Sequence, residues 1–188
     1  MMNDRIPDGD LLERARGGDH AAFRTLVERY EQVVAATVIG MLGPGAEAED
    51  VGQETFIRFY TALNRFREEA SLKTYLTRIA INLSLNALKR RKRFLSRHVE
   101  GDLADTIGVE SGAGPADRAE RQQVRAAVRG AIDRLAPKQR AVVTLRLIDG
   151  YSTRETAEIL GVPEGTVLSR LSRALKKLQP HLQPLMEA

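Results

Sequence analysis

The sequence predicts an all-α protein made of two small helical domains joined by a flexible linker, the second containing a helix-turn-helix. Three observations predict this. Apolar residues recur at helical spacing through both halves of a chain of 188 residues. No segment shows the alternation and hairpin turns of paired strands. One acidic, glycine-rich stretch interrupts the pattern near the middle. The length suits one medium domain or two small ones. With no Trp and only 5% aromatic residues among 43% apolar ones, Leu, Ile, Val and Ala must build the cores, which suits helices.

The elements follow in order. Phe23, Leu26, Val27, Tyr30 and Val34 recur on one helical face, behind Asp19 as a cap and ahead of Gly43-Pro44-Gly45 as a stop. Phe56, Phe59, Tyr60 and Leu63 repeat the spacing in the next helix. A third starts near Ser71, with Leu72, Tyr75, Leu76, Ile79 and Leu83 on one stripe. It ends in the unbroken basic run Lys89-Arg90-Arg91-Lys92-Arg93. The stretch 94–117 reads as the linker, since its later part carries Glu100, Asp102, Asp105, Glu110 and Asp117, repeated Gly, and no Lys or Arg between 100 and 117. The predicted domains are therefore 8–93 and 118–182. In the second, Val124, Val128, Ile132 and Leu135 mark one helix, and Pro137 opens another that buries Val142 and Leu145.

Composition also excludes. Without Cys there is no disulfide, thiolate metal site or Cys nucleophile. His20, His98 and His181 have no ligand spacing, so no metal or cofactor is expected. No carboxylate–histidine or nucleophile constellation supports an enzyme or a small-molecule substrate. The first residues lack the apolar stretch of a signal peptide, and nothing approaches the ~18–20 apolar residues of a membrane span, so the expectation is a cytoplasmic protein with no direct membrane insertion. The net charge of +4 is modest, so its clustering matters more than its size.

Two faces concentrate polar groups. From 72 to 93, Arg78, Asn82, Asn86, Lys89 and Arg93 form a ledge between the stripes Leu72/Leu76/Ile79/Leu83 and Ile81/Leu85/Leu88. Amides and cations on such a ledge suit a nucleic-acid backbone and unpaired bases. The helix macrodipole explains one or two cations at a C-terminus, not five in a row. Phe66 and Tyr75 are candidates to stack on a base, with Tyr75 as well suited to the core. In the second domain, Ser152-Thr153-Arg154-Glu155 fits a capping box, Gly161 a left-handed turn and Pro163 a helix start. This is a helix-turn-helix over 153–173. At about 100° per residue, Val167, Leu171, Ala174, Leu175 and Leu178 share one side of its second helix. Ser169, Ser172, Arg173 and Lys176 share the other, flanked by Arg170 and Lys177. A plain solvated face carries the same pattern, but the capped helix, glycine turn and proline start favour DNA.

Taken together, these motifs resemble the extracytoplasmic-function RNA polymerase sigma factors, of the sigma-E type. The run Glu49–Leu63 resembles the helix by which sigma factors grip the polymerase clamp, and Arg65–Asn82 the segment that melts and reads the −10 element. Leu135–Arg140 and Gly161–Leu171 resemble the −35-reading domain. The resemblance implies that Asp50, Gln53 and Glu54 contact core RNA polymerase. It implies that the loop from Phe66 to Lys73, with Asn82, holds an extruded −10 base. It implies that Ser169, Arg170 and Arg173 contact promoter DNA at −35, and that an anti-sigma factor holds the protein in check within a stress response. Three positions depart from the family: Tyr75 where Trp is frequent, Leu168 where a cation is frequent, and Gly52 in place of an aliphatic residue. A linker of ~24 residues reaches up to ~80 Å, enough for two promoter elements about two duplex turns apart. A stand-alone DNA-binding regulator, a nucleic-acid enzyme and a polymerase-binding decoy remain alternatives that the residues alone leave open.

Overall fold

The computed structural model describes residues 6–67, 70–97 and 115–183, without the side chains of 97 and 115–121. Eight α-helices follow one another among them: α1 (Asp8–Arg16), α2 (His20–Leu42), α3 (Ala46–Ala62), α4 (Leu72–Arg97), α5 (Pro115–Asp133), α6 (Pro137–Val143), α7 (Thr153–Leu160) and α8 (Glu164–Leu182). A 3-10 turn (Leu63–Arg65) follows α3, and a π-helical turn (Thr144–Ile148) continues α6. No strand occurs among the described residues.

Local chemistry sets the boundaries. Asp19 accepts the Ala21 and Ala22 amides at 2.9 and 3.1 Å and so starts α2. Those bonds, with Arg14 beside them, hold its carboxyl below the usual carboxylate range. Gly43 ends α2 at φ 86°, a conformation that strains any other residue. Ser71 Oγ accepts the Thr74 amide at 3.1 Å at the head of α4. The capping box at α7 is complete: Ser152 Oγ accepts the Glu155 amide, and the Glu155 carboxylate accepts the Ser152 amide. Gly161 takes the left-handed conformation after α7. Pro163 is the N-cap of α8 rather than its first helical residue, and α8 runs past Gln179, with Pro180 inside it.

In the first half, α1–α4 bury Leu11, Leu26, Val38, Phe59, Leu76 and Ile81 in a common core. In the second half, α5, α6 and α8 enclose Ile132, Leu135, Val143 and Leu178, while Val142, Ala157 and Val167 join α6, α7 and α8. Several sequence expectations are revised. α4 continues to Arg97 and α5 begins at Pro115, so both helices enter the expected linker; 98–114 lies outside the described residues. Leu175, placed on the buried stripe, is 46% exposed, because α8 turns that flank toward a cleft lined by Leu168, Leu171 and Leu182. Val124 and Tyr60 are exposed too. The two domains pack directly on each other. Ala141, Leu145, Tyr151 and Ile159 of the second lie in the core of the first, and α2 and α4 carry the seam.

Candidate polymerase and promoter interfaces

Three surfaces collect the expected site residues. On α3, Asp50 and Gln53 are exposed, and the half-buried Glu54 accepts a 2.8 Å bond from Arg58 one turn on. The same face continues through Ile57, 58% exposed, and Tyr60, 46% exposed. An apolar residue left in water beside carboxylates fits a protein partner better than a nucleic acid. The sequence reading missed Ile57; its signal was an aliphatic residue off the buried stripe of Val51, Thr55 and Phe59.

On α4 the ledge is a single row. Asn82, Asn86, Lys89 and Arg93 are exposed, while Leu76, Ile81, Leu83 and Leu88 beside them are buried. Arg90 and Lys92 extend the positive surface, and Arg91 pairs with Glu47 of α3. Arg78, at the upper end, is half-buried under α7, where it donates to the Glu158 carbonyl at 3.1 Å. Phe66 is not on the surface. It is 7% exposed, with its ring centroid 4.7 Å from Tyr75 and 6.2 Å from Phe59. Arg16 donates to the carbonyls of Leu63 and Phe66 and fixes the start of the loop that leads to α4. Phe66 and Tyr75 therefore pack together where that loop begins and where α4 starts; 68 and 69, within the expected base-holding loop, lie outside the described residues.

On α8, Ser169, Ser172, Arg173 and Lys176 are exposed on the side opposite Val167, Ala174 and Leu178, and Arg170 is half-buried at the edge. Ser169 Oγ donates to the Thr166 carbonyl one turn back at 3.0 Å, which leaves its lone pairs outward. Leu168 is 55% exposed and stands between the two sides. Among the described residues no group of His, Cys, Asp and Glu could hold a metal ion, and no helix is long and apolar enough to cross a membrane.

The family models for Sigma-70 region 2 and Sigma-70 region 4 match residues 26–94 and 125–178. The ECF RNA polymerase sigma-E factor of Escherichia coli (strain K12) is 35% identical over 191 residues, covering 98% of this chain and 99% of that one. The chain belongs to the ECF RNA polymerase sigma factors. The RNA polymerase sigma-H factor of Pseudomonas aeruginosa is also 35% identical, over 95% of each chain. Among solved structures, CnrH in complex with the cytosolic domain of CnrY matches at TM-score 0.65 and 27% identity, over 94% of this chain and 97% of that one. The sigma factor RpoE of Bartonella quintana, solved with the anti-sigma factor NepR, shares the fold at TM-score 0.65 and 23% identity, over 86% and 96% of the two chains. As a sigma factor, the protein binds core RNA polymerase and promoter DNA in transcription initiation. Region 2 carries the α3 face and the α4 ledge; region 4 carries α8.

Proposed function

We propose that the sigma factor is a two-point promoter reader that grips polymerase through α3. Asp50, Gln53 and Glu54 meet the clamp of core polymerase. Asn82, Asn86, Lys89 and Arg93, with Arg78 once it is released from α7, meet the melted −10 element, and the loop above Phe66 receives an extruded base. Ser169, Arg170, Ser172, Arg173 and Lys176 meet duplex −35 DNA. The domains that do this work are those expected at 8–93 and 118–182, the first extended by α4 to Arg97 and the second by α5 from Pro115. The protein acts in the cytoplasm without catalysing a reaction of its own. An anti-sigma factor controls it, a reading supported by the complex of CnrH with CnrY. The observation that carries the proposal is the pair of exposed polar faces, amides and cations on α4 and hydroxyls and cations on α8, each backed by a buried apolar stripe.

The test is initiation in vitro from promoters recovered by sequencing the DNA that the protein occupies in cells. Core polymerase with this protein is expected to start transcripts that core alone does not. Binding to core without any transcript would make the protein a decoy and overturn the reading.

A further inference from the structure

We propose that Leu168 reads the methyl group of one thymine in the −35 element, so that this sigma factor selects a base pair there by hydrocarbon contact as well as by hydrogen bonds. The proposal rests on the reading of α8 as the −35 helix given above and names a base that it selects.

A single exposed leucine is ordinary on a protein surface. Its surroundings set this one apart. Leu168 is 55% exposed, against 0% for Val167 beside it on the buried stripe. Around α8 it stands about 100° from Val167 and about 40° from Ser172, so it borders the polar row. Gly165, Ser169 and Ser172 lie on that same open side, all exposed. A β-carbon on Gly165 would touch no other element within 4 Å. Short side chains let the start of α8 come close to whatever it lies against, and the leucine then projects past the seryl oxygens. The N-terminal residues of a recognition helix are the ones that meet base edges. Leu168 lies early in α8, in the second turn after Glu164.

The chemistry leaves one target. Leucine has no donor or acceptor. Set against a purine N7 or O6, or against the amino group of cytosine, it would strip water from a polar group and return no bond. The C5-methyl of thymine is the hydrocarbon that the major groove offers. Burying one methyl group is worth about 4-fold in affinity. Arg173 lies about 7.5 Å further along α8, a little over two base-pair steps of ~3.4 Å. The selected thymine therefore lies within about three pairs of the base that depends on Arg173. Leu168 is also the first lip of the cleft that continues through Leu171, Leu175 and Leu182. Leu182 stands about 21 Å further on, against a groove width of ~12 Å. With its N-terminal end on the bases, α8 carries the far part of the cleft out of the groove and keeps Leu168 within it.

The probe is duplex promoter DNA recovered from cells, with deoxyuridine replacing each −35 thymidine of either strand in turn. The exchange removes the methyl and leaves every hydrogen-bonding group in place. Binding of core polymerase carrying this protein is expected to weaken ~4-fold at one thymine. With Leu168→Ala, whose side chain is too short to reach, the two DNAs are expected to bind alike. Leu168→Met keeps the reach and is expected to keep the difference; both replacements are good helix formers, so α8 persists. Leu168→Arg is expected to lose the discrimination and to steepen the salt slope by about 1. Deoxyuridine tolerated at every −35 position overturns the proposal, as does equal sensitivity in Leu168→Ala. Weaker binding of Leu168→Ala to core polymerase alone, with deoxyuridine silent, overturns it too and assigns the leucine to a protein partner in the cleft. Protection of the −35 duplex, and its changed selectivity in Arg173→Ala, report on α8 separately. If both hold while deoxyuridine is silent, only the role of Leu168 falls. If neither holds, α8 is not the −35 helix and both readings fall.

Discussion

Arg173 and Asn82 carry the most specific assignments. Arg173 sits exposed on the open side of α8, and among the described residues none bonds its guanidinium fork. If it reads a base, Arg173→Ala costs ~1–3 kcal/mol of −35-dependent initiation and relaxes preference at one position; an unchanged promoter profile, measured on a library of −35 variants, removes it from the site. Asn82→Ala is expected to alter −10 selection while leaving affinity for core polymerase within ~2-fold, since the proposed polymerase contact lies on α3 and not on α4. Asp149 is a third sharp case. Burial pushes its carboxyl above the usual carboxylate range, against the Thr37 hydroxyl and Lys73 that favour its charge. A raised native pKa means that the packed seam resists ionisation. The penalty is absent below the ordinary value of 3.8, grows as pH rises above it, and levels off past the native pKa. Asp149→Asn keeps an acceptor for Thr37 and removes the charge. It should melt higher than the unmodified protein at pH 7, at roughly 2–4 °C per kcal/mol gained, with the gap closing toward pH 4. A gap that does not change between the two pH values would show that Asp149 ionises freely in the fold.

Among the elements, α7 and its turn are the most exposed to single changes. Ser152 and Glu155 satisfy each other's backbone amides, so Ser152→Ala should lower stability by ~1 kcal/mol, read in a denaturant melt. Gly161 sits at φ 61°, so Gly161→Ala is destabilising by a comparable ~1 kcal/mol. These devices were plain in the sequence, as were Asp19 and Gly43, because caps and glycine turns depend on residues within one turn of one another. The buried stripes of α2 and α4 were legible for the same reason. Phe66, Leu175 and Val124 were misjudged, since their exposure depends on which neighbour arrives from far along the chain. Phe66 reads as a free aromatic at the start of a polar loop until Phe59 and Tyr75 close around it. The polar rows on α4 and α8 were visible by periodicity alone, whereas the role of Asp50, Gln53 and Glu54 came from the likeness of their run to a family. The exposed Ile57 among them gives that run a physical reason.

At the level of the whole molecule, the seam between the domains left almost no trace in the sequence. Several of its bonds end on main-chain carbonyls, which every residue has, and nothing in the sequence marks Gly40, in the last turn of α2, as the place where Thr144 packs. The measure of the whole assembly is salt. If the α4 and α8 faces neutralise phosphates together, promoter affinity of the holoenzyme should fall linearly on a logarithmic salt scale. Replacing Lys89 and Arg93 by Ala should then reduce the slope by about 2 in all, and an unchanged slope would place the ledge away from the DNA backbone.

The open α3 face has a thermodynamic implication of its own. A ligand moves a conformational equilibrium only through unequal affinity for the two states. Asp50 and Gln53 are exposed while the domains are packed, so polymerase bound at α3 alone would favour neither arrangement. If the domains part on polymerase, the work of separating Arg129 and Arg140 from the end of α2 comes from contacts that polymerase or promoter makes with α5–α8. A population shift from 1:99 to 99:1 requires about 5.5 kcal/mol of such preference. Region 4 would thus drive the opening as well as read DNA, and weakening its attachment to polymerase would silence even promoters that depend mainly on the −10 element.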